Sequence, residues 1–439
     1  MPFGRRGSTR IRHPLSAYWG GGQGADGSRA EQECARAGSA RPTDRVAPAL
    51  AHKTTRADTF SVAHLYRDAL VPGGIPHQTR QLIEAQVALG VRVSVIARAG
   101  QNIPASARVH TLGGATRGFL FDARTVHRTL REDAVDVFHI TGLSIPEHVL
   151  PVMSVLRSGT PLVLSPHGLL APLGRAVRFE GRHQTLLRET LKRAFRRSCD
   201  RTLIDRAAVI HAQSVFEEEC VRAIRPDAEI VIAPMGVDAD WIHAEAPRRH
   251  IRRPVTIGYL GRLDVYHKGL DLLLEAVRRL GSSSSEFRII IAGTPVEASY
   301  AGLLRSAQDV GVSILPEQWG PDKDRFFREC DFVFGVYRYA GMARLIGESV
   351  GRGIPVIASR EGNWGDWTAE FGMGVPSALS AESVESALLK IGNLKDDEYE
   401  RMSARAMAFA STWSWERVAE EIGRAYAAAC AGAFKPMAD

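Results

Sequence analysis

Apolar positions in this chain fall into short runs separated by amphipathic stretches, and the alternation begins near Ser61. Residues 61–66 form an apolar run that predicts a strand. A tight glycine loop follows at 71–76. Residues 78–89 have helical spacing, end at Gly90, and lead into a predicted strand at 91–97. Further strand-like runs lie at 134–140, 161–165, 207–212 and 229–233, with helical stretches between most of them. Such alternation predicts a doubly wound parallel sheet.

The pattern breaks at residues 241–254, which are polar, basic and flanked by proline. A second series then begins, with strand-like runs at 255–260, 288–292, 312–315, 332–336 and 354–359. The chain therefore reads as α/β, with two facing Rossmann-like domains and a ligand cleft outside the carboxyl ends of their strands. The expected boundaries are a leader at 1–57, a first domain at 58–240, a linker at 241–254 and a second domain at 255–411. A terminal helix at 412–432 completes the chain.

Charge sharpens this division. The chain has a net charge of +7 and a pI near 9.3. Most of the excess lies in residues 1–57, which are rich in Arg, Gly, Ala and Ser and poor in apolar residues. That composition predicts disorder and a leader dispensable to the fold. It also removes the case for nucleic-acid binding, because the remainder is nearly neutral and carries no zinc-finger or RNP pattern. The five cysteines are scattered without a C-x-x-C pair, which fits a reducing cytoplasm. No apolar run approaches the ~18 residues that span a bilayer.

The turn at 261–269 is where pattern meets chemistry. Gly261 breaks a strand, Gly269 opens an amphipathic helix, and Arg262 and Lys268 stand between them. A strand's carboxyl end and a helix's amino end both favour anions, through free N–H groups and the helix dipole. An Arg that forks onto two oxygens and a Lys that acts as a point charge suit a diphosphate.

Several segments now align with one family. Residues 255–276 contain Gly261-Arg262-Leu263 and Lys268-Gly269-Leu270-Asp271. Gly73-Gly74-Ile75, Ser165-Pro166-His167-Gly168 and 337–358 with Glu348 follow the same pattern, as does the terminal Ser414-Trp415 element. Together they resemble retaining family-4 glycosyltransferases (glycosyl transferases group 1), which have the GT-B fold. The resemblance implies a metal-independent enzyme that takes its sugar from a nucleotide-diphosphate donor, a substrate rather than a cofactor, and passes it to a hydroxyl acceptor. By the same resemblance Arg262 and Lys268 hold the diphosphate, and His167 meets the donor sugar. Gly73 and Gly74 approach the phosphate from the opposite domain. Gly341, Met342 and Leu345 belong to the donor loop, and Glu348 accepts from the ribose. Asp238-Ala239-Asp240 spells D-x-D but falls in a domain-end turn, so no metal site is expected.

Two features keep alternatives open. The family pattern places a glutamate at 340, where this chain has Ala340. A nucleotide-sugar-binding protein without transferase activity, or a GT-B nucleotide-sugar epimerase, therefore remains an alternative. Residues 175–206 combine Lys192, Arg193, Arg196 and Arg197 with Leu186, Leu187, Leu191, Phe195 and Leu203. They read either as a core helix with solvated charges or as a docking face for an anionic membrane holding a lipid-linked acceptor.

Overall fold

The computed structural model describes residues 60–70, 73–98, 107–111, 123–145, 148–170, 196–242 and 247–432. The leader and most of the basic stretch at 175–206 lie outside these residues.

The first domain contains β1 (Ser61–Leu65), α1 (Gly74–Ala88), β2 (Arg92–Ala97), β3 (Arg108–Thr111), α2 (Ala123–Glu132), β4 (Val137–Thr141) and α3 (Val149–Ser158). It continues with β5 (Leu162–Ser165), α4 (Arg201–Arg206), β6 (Val209–Ala212), α5 (Val215–Arg222) and β7 (Ile230–Ile232). The strands form a parallel sheet in the order β3-β2-β1-β4-β5-β6-β7. Every position of β1, β4, β5 and β6 is buried, as expected of a sheet covered on both faces. The chain reverses its direction of growth between β1 and β4, so the loops after them diverge and leave a crevice.

The second domain holds β8 (Val255–Leu260), α6 (Leu270–Leu280), β9 (Phe287–Ala292), α7 (Glu297–Asp309), β10 (Ser313–Leu315), α8 (Gly320–Glu329) and β11 (Phe332–Gly335). It closes with α9 (Arg344–Gly351), β12 (Val356–Ala358), α10 (Gly365–Phe371), β13 (Gly374–Pro376), α11 (Ala381–Gly392) and α12 (Asp396–Thr412). Its parallel order is β10-β9-β8-β11-β12-β13, with the reversal between β8 and β11. The loops after those two strands are the ones that carry Lys268 and Met342. Helix α6 covers the sheet with Leu270, Leu273, Leu274, Val277 and Leu280, all buried at helical spacing.

The last helix, α13 (Trp415–Ala431), packs on α1 and on the first sheet. Gly236 makes this approach possible, since a Cβ there would sit 2.5 Å from the Trp415 ring. Trp415 also donates its indole N–H to Asp238 at 2.5 Å, and His77 of α1 bonds the other oxygen at 2.7 Å. Asp238 is thus committed to the joint between the domains, and Asp238-Ala239-Asp240 is a structural turn.

The sequence reading differs from the structure in places. Helix α1 begins at Gly74 rather than 78, because Pro76 is tolerated in a first turn, where backbone N–H groups lack helical partners anyway. The glycine pair is therefore the helix's own N-terminus. Strands β3 and β13 were not expected. Arg108-Val109-His110-Thr111 carries a single apolar residue, and Gly374-Val375-Pro376 is too short to register. Leu203, placed on the apolar stripe of the basic stretch, is buried in the first domain's core.

Candidate active site

The β8–α6 turn is held open by glycine and closed by hydrogen bonds. Gly261 has φ +154, and a Cβ on neighbouring Gly293 would collide with the Gly261 carbonyl. Tyr259 donates its hydroxyl to the Arg262 carbonyl at 2.6 Å, which fixes the backbone while leaving the guanidinium exposed. Gly269 caps α6 with φ +65, and a Cβ there would meet the Val336 carbonyl at 2.1 Å. Only glycine allows this turn to lie against the end of β11.

Lys268 is half-buried, with Nζ 4.4 Å from the centre of the Tyr337 ring. Burial, aided by Arg262, pushes its pKa down to about 8. Neither Lys268 nor Arg262 has a carboxylate partner among the described ion pairs. Other charges nearby are already matched. Arg338 forks onto Asp271 at 2.7 and 2.6 Å, and His267 stacks on Tyr339 with ring centres 4.1 Å apart. The arrangement leaves two cations in the turn before a helix N-terminus, outside any close ion pair among the described residues, with the charge of Asp264 acting on both.

Glu348 on α9 is 3% exposed and receives Lys323 Nζ at 2.5 Å. Arg344 stands 3.5 Å from its other oxygen. Leu345 and Met342 are buried beside it. At position 340 the backbone is bonded on both sides: Ala340 donates to the Glu361 carbonyl at 3.2 Å and accepts from Asn363 Nδ2 at 2.9 Å.

The first domain meets this loop with His167 and Gly168. His167 adopts φ +54, is buried, and has its pKa depressed to about 3 by burial, so the ring is neutral. Its Nδ1 has no hydrogen-bond partner, and a cavity of about 20 Å³ opens beside it, lined by Gln78, Thr141 and Gln213 among others. Gly168, with φ +75, lies so close to the second domain that a Cβ would sit 2.0 Å from the Ala340 carbonyl.

An amide clasp joins the same surfaces. Gln78 Nε2 donates to the Met342 carbonyl at 2.6 Å, and Met342 N–H donates to Gln213 Oε1 at 3.1 Å. Gln213 Nε2 closes the ring on Gln78 Oε1 at 3.0 Å. Ser214 adds a bond to Asn363 at 2.5 Å.

His167, Gly341, Met342, Arg262 and Lys268 therefore converge, directly or through one neighbour, on the segment after β11. Gly73 and Gly74 are exposed one turn from Gln78, at the amino end of α1. Sequence reasoning missed Gln78, Gln213, Asn363, Lys323 and Glu217. Only the last had a local signal, a Ser214-x-x-Glu217 helix start. Among the described residues, no group of three His, Cys, Asp or Glu is arranged to hold a metal ion.

Behind the site runs a buried chain of hydrogen bonds whose direction is fixed by its end. His211 Nε2 faces the Ala233 carbonyl at 2.9 Å and must donate. Its Nδ1 then accepts from Ser165 at 2.8 Å, and Ser165 accepts from His139 Nε2 at 2.7 Å. His139 Nδ1 accepts from Tyr426 at 2.7 Å, Tyr426 accepts from Gln86 at 2.8 Å, and Gln86 accepts from His64 at 2.8 Å. Burial lowers the pKa of His64 and His211 to about 4, and that of His139 further. Tyr426 joins α13 to this chain. Tyr426→Phe will leave Gln86 and His139 each short of a partner and cost about 1–3 kcal/mol. Urea denaturation at pH 7.5 measures it, and an unchanged midpoint would refute the chain's contribution.

Residues 73–236 match the family described as glycosyl transferase 4-like domain, and residues 254–392 match glycosyl transferases group 1. The lipopolysaccharide 1,2-N-acetylglucosaminetransferase of Salmonella typhimurium is 24% identical over 240 residues, covering 50% of this chain. The match spans 62% of that relative's length. Among solved structures, sucrose-phosphate synthase from Thermosynechococcus elongatus superposes with a TM-score of 0.63 at 15% identity, covering 84% of this chain and 98% of its own. Anabaena HepE in complex with UDP gives 0.60 at 18%, covering 84% of this chain and all of its own.

Proposed function

The chain belongs to the GT-B glycosyltransferases, and from that premise we propose that it is a retaining, metal-independent transferase. It moves a hexosyl or related sugar from a nucleotide-diphosphate donor to a hydroxyl acceptor, in polysaccharide or glycolipid assembly. The observation that carries this reading is the pair of cations, Arg262 and Lys268, in the turn that leads into α6, neither held in an ion pair among the described residues. Cations held there before the reaction favour the separating diphosphate without reorganising as charge develops. Gly73 and Gly74 approach from the facing domain, and neutral His167 offers a nitrogen to sugar hydroxyls. Glu348, now clasped by Lys323, exchanges that partner for the ribose when donor enters.

The similar proteins support the substrate class. One is a transferase acting in lipopolysaccharide, and another is a complex with UDP. A lipid-linked acceptor at the cytoplasmic face of a membrane fits this reading, with the cations at 192–197 of the 175–206 stretch as the docking segment and Leu203 committed to the core. No helix among the described residues is long and apolar enough to cross a membrane.

Isothermal titration with UDP is the test. Lys268→Ala and Arg262→Ala each remove a charge-assisted contact worth about 1.5–3 kcal/mol, a weakening of roughly 10- to 150-fold. Unchanged affinity in both variants would refute the assignment.

A further inference from the structure

The carboxylate of Glu217 is buried in the first turn of α5, and each of its oxygens takes a different backbone N–H. Oε1 accepts from Gly168 at 2.5 Å and Oε2 from Gln213 at 2.8 Å. These N–H groups belong to loops that follow adjacent strands, β5 and β6. Both loops meet the second domain at segment 340–342. Gly168 abuts the Ala340 carbonyl, while Gln213 accepts from Met342 N–H through its side chain and from Trp367 Nε1 through its carbonyl, at 3.1 Å each. One carboxylate thus sets the spacing of two loops that form the first domain's side of the seam.

We infer that Glu217 is a positioning residue for domain closure: it locks the loops of His167 and Gln213 at the spacing that segment 340–342 fits. The requirement is for an acceptor at both oxygens. A glutamine would turn its NH2 toward one of the two N–H donors. The clasp is a geometric statement in its own right. That it serves catalysis rests on the transferase reading above.

Among the described residues, no cation pairs with this carboxylate. His167 and His211, from the neighbouring loop and strand, are kept neutral by burial. On α5, Glu218 pairs with Arg222, and Glu219 pairs with Arg360 of the second domain, which also holds Asp366. Burial pushes the Glu217 pKa up to about 7 against the two N–H bonds that lower it.

Amide hydrogen exchange on the full chain tests this in wild type, Glu217→Gln and Glu218→Gln. In Glu217→Gln, exchange at Gly168, Gln213 and Met342 is expected to rise by about tenfold, with the β9 interior unchanged. Met342 decides the matter, because it lies in the other domain and touches Glu217 only through Gln213. Loosening of Gly168 and Gln213 with Met342 unaffected would reduce Glu217 to a local support and overturn the inference. Glu218→Gln should behave as wild type. Glu217→Asp, which keeps the charge but shortens its reach by one methylene, should raise exchange at the same three amides; Met342 unchanged in that variant would also overturn the inference. This arm stands even where Glu217→Gln fails to fold. A parallel UDP titration separates the two claims: no UDP binding by wild type refutes the transferase reading and leaves the exchange result to judge Glu217.

Discussion

Acidification from pH 7.5 to 5 is expected to unfold this protein or bring it close to unfolding. Burial depresses the pKa of His64 and His211 to about 4, and of His148 and His167 to about 3. In the unfolded chain each returns to about 6.5. The unfolded state therefore binds more protons across the interval, and stability falls as pH falls. Each histidine transfers about 2 kcal/mol between those pH values. Four such groups reach the order of a domain's whole stability, ~5–15 kcal/mol.

Glu217 acts in the opposite sense. Its folded pKa is raised to about 7, so the stability it contributes is complete below the unfolded value of 4.5 and is lost as pH rises through 7. It offsets about one histidine. Melting temperature against pH, followed by circular dichroism, should show a steep fall between pH 6.5 and 5. A flat curve there would mean that the buried histidines are already solvated or charged at neutral pH.

Gly168→Ala should cut turnover on the order of 100-fold while leaving a folded protein. Two effects act at this position and they separate cleanly. The left-handed backbone costs a Cβ-bearing residue about 1–2 kcal/mol. The contact is the larger problem: the new Cβ would lie 2.0 Å from the Ala340 carbonyl oxygen and 2.5 Å from Gly341 N. Both neighbours are backbone, so the two domains must part rather than a side chain turn aside. A displacement of about 1 Å at a reacting centre costs on the order of 100-fold in rate.

Gly90→Ala isolates the strain. It shares a positive φ of +85 but has no atom within 4 Å of the new Cβ. The expected outcome is a modest loss of melting temperature in both variants and a loss of donor turnover only in Gly168→Ala. If the two variants match in turnover, the seam between Gly168 and Ala340 does not form in the working enzyme.

Much of the architecture was readable because it is written locally. Strands buried on both faces appear as apolar runs, and α6 announces itself by helical spacing and by Gly269 before it. The fragment with Arg262 and Lys268 carries strand, turn and helix start within one short segment, so its local structure could be read without any partner. Edge strands β3 and β13 were lost for the converse reason: an edge needs little burial, and Arg108-Val109-His110-Thr111 has almost none to display.

Ala340 shows where local reading stops. The sequence identifies the missing carboxylate. The structure adds that nearby Arg338 is taken by Asp271 and Tyr339 is stacked on His267, while Glu361 receives the Ala340 N–H on its backbone.

By itself, then, the sequence determined the strand and helix periods, the two-domain division and the cationic turn, because each depends on neighbours within one or two turns of chain. Only the tertiary structure decided which polar side chains find each other. Gln78 and Met342 are 264 positions apart, and Gln86 and Tyr426 are 340 apart. A glutamine or a histidine in a helix or strand looks the same in sequence whether it faces water or a partner. Its role is fixed only when folding buries it, because a polar group removed from water must then be matched by whatever distant group the topology brings within reach.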